Sequence, residues 1–278
     1  MSSVQLNSGL SYNAYTYLKV CTLMLFWLVY SSVNSQILIK PIPDKTVVLT
    51  FDDGVASHYS HVAPLLMERG FGATFFVCEF PPNFSDSTKY MNWRQMQELD
   101  RMGFEVANHT HHHAPVGKLS EEEVTGEINY IEAKCDSLGI KPMISFAYPG
   151  YSISEIVLKA LDKKNYLLAR AGGKRAYNPL EDHPYLIPSW ATDSENEAET
   201  MEALKQAKAG QIVVLTIHGV PDLEHPWVNT PPDMFLRYLN FLSKNKYRVL
   251  SFEQLAEYID FKLARKQLKV NFEKPLRN

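Results

Sequence analysis

Residues Val47-Val48-Leu49-Thr50-Phe51-Asp52-Asp53-Gly54 decide the reading of this chain. The first five form an uninterrupted apolar run, the pattern of a strand buried on both faces. Two adjacent carboxylates at the end of such a strand are costly unless a cation or a shared proton compensates them. The pair therefore asks for a metal. Gly54 lets the backbone turn sharply, so that the two side chains can point apart and do different work. Taken alone, the stretch also fits a strand ending in an ordinary solvated Asp-Asp-Gly turn.

Outward from that strand, helical and extended patterns alternate. Strands are expected over 47–51, 73–77, 104–108, 144–147, 166–169, 186–190, 212–217 and 248–251. Helices are expected over 57–69, 92–102, 120–138, 154–164, 197–209, 232–243 and 252–262, with Ser120 and Glu123 forming a capping box. Short apolar strands separated by helices imply right-handed βαβ units and a parallel sheet. Seven or eight such units favour a (β/α) barrel over an open sheet. Asp52, Asp53, His109, Pro149, Trp190 and His218 each fall just past the carboxyl end of an expected strand. In a parallel barrel those ends share one rim, where active sites are built.

A chain of 278 residues with 45% hydrophobic and 21% charged residues suits one large domain or two small ones. Its net charge of -3 provides no basic field for nucleic acid. Lys19 precedes an apolar run over 20–30, and small residues follow at 33–35. This is the pattern of a signal peptide over 1–35, with an uncleaved anchor as the alternative. The run is short for a membrane span, so the mature chain is expected to have none. A catalytic domain over 36–265 and a charged, surface or frayed tail over 266–278 complete the division. Cys21 would leave with the signal, and Cys78 and Cys135 suggest no disulfide framework.

His109 and His113 are four residues apart, so one helical turn would turn both imidazoles the same way, towards one ion. Together with one aspartate they give two nitrogens and one oxygen, a set that leaves room for water as catalytic zinc requires. His111 and His112 would then point elsewhere. A polar loop with incidental histidines is the plainer alternative. His218 ends a second apolar strand, and a histidine there could donate a proton to a leaving amine, with Leu215 lining a small apolar hollow. A lone histidine at a strand end is more often a satisfied structural residue than a catalyst.

Three segments resemble the motifs of the polysaccharide deacetylases, the NodB-homology carbohydrate esterases of family four. They are Thr50-Phe51-Asp52-Asp53-Gly54, His109-Thr110-His111-His112-His113 and Leu215-Thr216-Ile217-His218. The resemblance runs from about Thr46 to Ser251 and implies a NodB-like distorted barrel. It implies that Asp52 is the general base, that Asp53, His109 and His113 bind a divalent metal, and that His218 is the general acid, with Leu215 in the acetyl pocket. Zinc is the expected ion, with Co2+, Ni2+ or Mn2+ as alternatives. The implied partner is a glycan, and the implied location is periplasmic or extracellular.

Two positions depart from the family pattern. Ala147 stands where the arginine that orients the base is usual, and Ser189 stands where an aspartate usually precedes the tryptophan. With both missing, no buried charge would be left unpaired, and the surroundings of the base are expected to be rebuilt. The Gly150 amide could still stabilise an oxyanion. Asp222, Glu224 or His225 could orient His218. Tyr148, Tyr151, Trp190 and Trp227 could stack on a sugar or simply pack. His58, His61 and His183 are assigned to surface or loop roles. The reading is a hydrolase that deacetylates amino sugars of an extracellular or cell-wall polysaccharide. The alternatives are hydrolysis of a cyclic amide or O-acetyl ester, and an inactive carbohydrate-binding homologue.

Overall fold

The aspartates directly follow β1 (Thr46–Phe51), the most heavily paired strand among the described residues, which is buried at all six positions. A computed structural model describes residues 37–276, so the export segment lies outside the described residues. The other strands are β2 (Thr74–Val77), β3 (Glu105–Asn108), β4 (Ser145–Ala147), β5 (Leu168–Arg170), β6 (Trp190–Ala191), β7 (Val213–Ile217) and β8 (Arg248–Leu250). Every pairing among these strands is parallel, in the order β5-β4-β3-β2-β1-β7-β6, with β8 against β1. β7 pairs with β1 from Val47 to Phe51, while β8 takes Thr46–Val48 and β2 takes Thr50 and Phe51. One edge of β1 is thus shared by two neighbours in succession.

The sheet curls into the expected distorted barrel, and a single residue brings its ends together. Ile187, three residues before β6, bridges Arg170 of β5, donating to Ala169 O at 3.0 Å and accepting from Ala171 N at 2.7 Å. The strand expected over 186–190 is therefore mostly 3-10 turn and bridge, because Pro184 and the closing bridge leave only two residues for ladder pairing.

The helices are α1 (Ala63–Met67), α2 (Trp93–Arg101), α3 (Glu121–Ser137), α4 (Glu155–Lys163), α5 (Glu197–Leu204), α6 (Pro232–Lys244), α7 (Phe252–Leu255) and α8 (Phe261–Gln267). The capping box at Ser120 is present, with Glu123 N bonded to Ser120 Oγ and Ser120 N to Glu123 Oε2. The helix expected over 57–69 opens as a π-turn at His58–Val62, and the one expected over 252–262 is two helices, the second capped by Asp260. At the carboxyl end, Leu276 O accepts from Gly172 N and Lys274 pairs with Asp182. Among the described residues no helix is long and apolar enough to cross a membrane.

Alternation along the strands divides the core. Val47, Leu49, Phe51, Leu215 and Ile217 pack with residues of the outer helices. Val48, Phe76, Ala107, Ala147, Leu168 and Val214 pack together inside the barrel, with Phe252 and Phe261 in the same cluster. This parity positions the site, because stepping two residues from an inward position reaches another inward position. Val48 leads to Thr50 and Asp52, Ala107 to His109, Leu168 to Arg170, and Val214 to Thr216 and His218.

Candidate active site and metal centre

Asp52 and Asp53 diverge because strand geometry ends between them. The Asp52 amide still donates to Ile217 O at 2.9 Å, whereas Asp53 is left-handed (φ 73°), as is Gly54 (φ 66°). A side chain at Gly54 would also approach Met96 Cε at 3.2 Å. Asp53 Oδ1 lies 3.4 Å from Nε2 of His109 and 3.4 Å from Nε2 of His113. His218 Nε2 stands 4.0 Å from the other Asp53 oxygen, and His109 Nε2 is 3.8 Å from Asp52 Oδ2.

His109 and His113 do not share a helical turn. Their segment is a loop in which Thr110 (φ 66°) and His113 (φ 52°) are both left-handed, and these reversals bring the two imidazoles together. Asn108 Oδ1 holds Thr110 N at 2.9 Å, and Thr110 Oγ1 holds Ala114 N at 3.0 Å. Spacing alone could not show this, since positive φ outside glycine leaves no reliable mark in sequence.

The donor set fits a divalent ion. His109 Nδ1–H donates to the Ala147 carbonyl at 2.9 Å, which turns the Nε2 lone pair towards Asp53. Asp53 Oδ1 is buried without a hydrogen-bond partner among the described residues. Asp53, His109 and His113 offer ligand atoms all within 4.8 Å of one another. Burial raises the Asp53 pKa, but His113, His109 and His218 together hold it well below the usual carboxylate range. Burial works to lower the pKa of His109, yet Asp52 and Asp53 lift it above the ordinary value. In His113 burial prevails and the pKa falls to about 4.

The arginine absent from position 147 reaches the same place from the next strand. In the β4–β5 register Ala147 lies opposite Arg170, and the methyl side chain leaves space for the longer one. Arg170 is wholly buried and donates from Nη2 to Asp52 Oδ2 at 2.5 Å and from Nη1 to Thr216 Oγ1 at 2.5 Å. Its guanidinium carbon sits 5.4 Å from the Phe76 ring centre. Thr216 passes the chain of bonds to Ser189 Oγ at 2.8 Å, and Ser189 donates to Ala171 O at 2.6 Å. The surroundings of the base are thereby rebuilt without stranding a buried charge: the carboxylate of Asp52 keeps a cation, Arg170, while a neutral hydroxyl relay occupies the aspartate's position. The signal for Arg170 was an arginine closing the apolar run over 166–169.

The helpers expected for His218 work elsewhere. Asp222 accepts from the backbone amides of Gly219, Glu224 and His225, lies 3.4 Å from His225 Nδ1, and raises the pKa of His225. Glu224 pairs with Lys89 at 2.9 Å. His218 Nδ1 is buried without a partner among the described residues. Its carbonyl accepts from Nε2 of His58, which is fully buried between Phe51 and Phe75 and not in a surface role; burial lowers the His58 pKa to about 4.

A cavity of about 400 Å³ opens over the centre, lined by Asp52, Asp53, His109, His113 and His218 together with Gly150, Tyr151, Lys174, His225 and Trp227. Trp190 and Leu215 are not on its wall. They are register partners across β6 and β7, with Leu215 and Trp190 both packed in the helix-side core. Leu215 is three residues from His218 and so faces the opposite side of the strand. One wall is a row of rings, in which His113 and His225 each lie 4.8 Å from Phe80 and Trp227 lies 5.4 Å from His225.

Fold and site together define a NodB-type barrel with a His-His-Asp centre at its rim. Residues 40–169 match the family model described as polysaccharide deacetylase. The chain is 27% identical over 126 residues to a chitin deacetylase of Pestalotiopsis sp, covering 45% of this chain and 41% of that protein. It is 25% identical over 182 residues to a peptidoglycan-N-acetylglucosamine deacetylase of Bacillus cereus, covering 63% of this chain and 74% of that one. The chain spans less than half the length of the first curated relatives it matches, 43% and 41%. Among solved structures, the Xyl-CE4 domain of a multidomain xylanase from the hindgut metagenome of Trinervitermes trinervoides superposes with a TM-score of 0.56. The two are 23% identical, and the match covers 77% of this chain and 91% of that domain.

Proposed function

We propose that this protein is a metal-dependent hydrolase that removes acetyl groups from N-acetylated amino sugars of an extracellular or cell-wall polysaccharide. The observation that carries the reading is the division of labour between neighbouring carboxylates. Asp53 faces two imidazoles, whereas Asp52 has one oxygen fixed by Arg170 and the other, Oδ1, buried without a partner among the described residues. Asp53, His109 and His113 would hold the ion, and two imidazoles with a carboxylate suit zinc. When bound, a divalent ion would polarise the acetyl carbonyl and acidify the attacking water.

The protein's own groups supply the proton transfers. Asp52 Oδ1 takes the proton of the attacking water, and Arg170 keeps that carboxylate aimed. Gly150 lines the cavity, which supports its amide as the donor to the developing oxyanion. His218 gives a proton to the departing amine, so that the C–N bond breaks to acetate and a free amino sugar. The ring-lined wall ending in Trp227 gives a pyranose an apolar face to lie on. The names of the chitin and peptidoglycan deacetylases among the relatives support an N-acetylglucosamine polymer as substrate. The apolar run over 20–30 supports export.

The test is acetate release from N-acetylglucosamine oligomers by protein of measured zinc content. Acetate appearing with zinc, and disappearing in Asp52→Asn at unchanged zinc content, is the expected result. Zinc bound at the centre without acetate from any acetylated amino sugar would overturn the reading.

A further inference from the structure

The loop that turns His109 and His113 inward turns the two intervening histidines outward, towards α3. There His111 Nε2 lies 3.1 Å from Glu79 Oε2, and His112 Nδ1 lies 2.9 Å from Glu127 Oε1. The His112 amide also donates to Glu127 Oε2 at 2.8 Å, so this carboxylate is fixed to the loop by two bonds. The two imidazole centres are only 3.5 Å apart, and the His111 ring stacks on Tyr130 at 3.4 Å with an interplanar angle of 13°. One ligand atom from each of His111, His112 and Glu127 falls within 4.8 Å of the others, as is also true of the inner set.

Glu79 makes this more than a pair of surface histidines. Its Oε1 accepts from Trp93 Nε1 at 2.7 Å and from Tyr130 Oη at 3.0 Å, leaving Oε2 for His111. A carboxylate fixed from behind takes the N–H of an imidazole, sets its tautomer and frees the opposite nitrogen as a ligand. The inner site uses the same device, with the Ala147 carbonyl behind His109. Two imidazoles and one carboxylate suit a borderline divalent cation and not Mg2+ or Ca2+.

We propose that His111, His112 and Glu127, backed by Glu79, form a second divalent-cation site on the outer face of the loop whose inner face carries His109 and His113. A cation there ties the loop to α3 and so fixes the backbone that presents the inner ligands. With His112 half exposed, the outer site is open to solvent and releases its ion more readily than the inner one.

The test is zinc titration of the chelator-stripped full chain by calorimetry, with metal content measured after desalting. Two equivalents in two affinity classes are expected. His112→Ala/Glu127→Gln should lose the weaker class and keep the tighter, and Asp53→Asn should do the reverse. Glu79→Gln should weaken the outer class by about 10–100-fold, an effect incidental zinc on surface histidines would not show. A single equivalent in the unaltered protein, two retained in His112→Ala/Glu127→Gln, or indifference to Glu79→Gln would each overturn the proposal. None of these readouts depends on deacetylation.

Discussion

Replacing Arg170 by methionine tests the exchange between strands most directly. The guanidinium is wholly buried, bonds Asp52 Oδ2 and Thr216 Oγ1 at 2.5 Å each, and faces a carboxylate that is itself 3% exposed. Methionine fills much of the space but leaves a buried anion without its cation, a change that costs about 3–5 kcal/mol. Adding Asp52→Asn removes the stranded charge, so the double variant should recover a large part of the loss. The coupling in denaturant melts should reach at least about 2 kcal/mol. Acetate release should fall on the order of 100- to 1000-fold in Arg170→Met, because the base loses the group that aims it. Ala147→Arg in an Arg170→Ala background puts the cation back from the neighbouring strand, and part of the activity should return. A coupling below about 0.5 kcal/mol, with turnover of Arg170→Met close to that of the parent, would refute the reasoning.

His113→Ala should lose the inner ion and turnover together, whereas His218→Ala should keep the ion while acetate release drops roughly 100- to 10,000-fold; metal analysis beside the assay separates the two. Stability should fall as pH drops from about 6.5 towards 4, because His58 is held neutral in the fold at a pKa of about 4 while the unfolded chain takes up the proton. The linkage amounts to about 2 kcal/mol at pH 5, and His58→Gln, which can still donate to the His218 carbonyl, should flatten that part of the stability–pH curve. Trp227, 71% exposed at the cavity mouth, should tolerate alanine with a stability change within about 0.5 kcal/mol. KM for an oligomer should rise roughly 2–10-fold there, with kcat nearly unchanged.

What was legible in the sequence is what two-residue periodicity carries. The strands ending at Phe51 and Ile217 announce themselves as apolar runs, and the polar residues just beyond them meet on one rim. Spacing pairs His109 with His113, and the family resemblance adds Asp53, although the turn that joins the two histidines is built from left-handed residues and not from a helix. Relations across strands were hidden. Arg170 serves Asp52, 118 residues away in sequence, through a register that only the folded sheet defines. Face assignment failed for Trp190 and Leu215 because a one-residue difference in a strand reverses the side it serves. Local bonding decided Asp222, whose carboxylate is taken up by the turn it belongs to and is not left for His218.

The triple pairing of β1 also bears on how the molecule breathes. A strand gripped along both edges, with the Asp52 amide still in the ladder to Ile217, surrenders its amide protons to deuterated water only when the whole sheet comes apart. The paired carboxylates therefore sit on ground that does not shift in the native ensemble. On the proposed function, accommodation of differently shaped glycan chains falls to the exposed loop bearing Leu223 and Trp227, where isotope uptake should be fast.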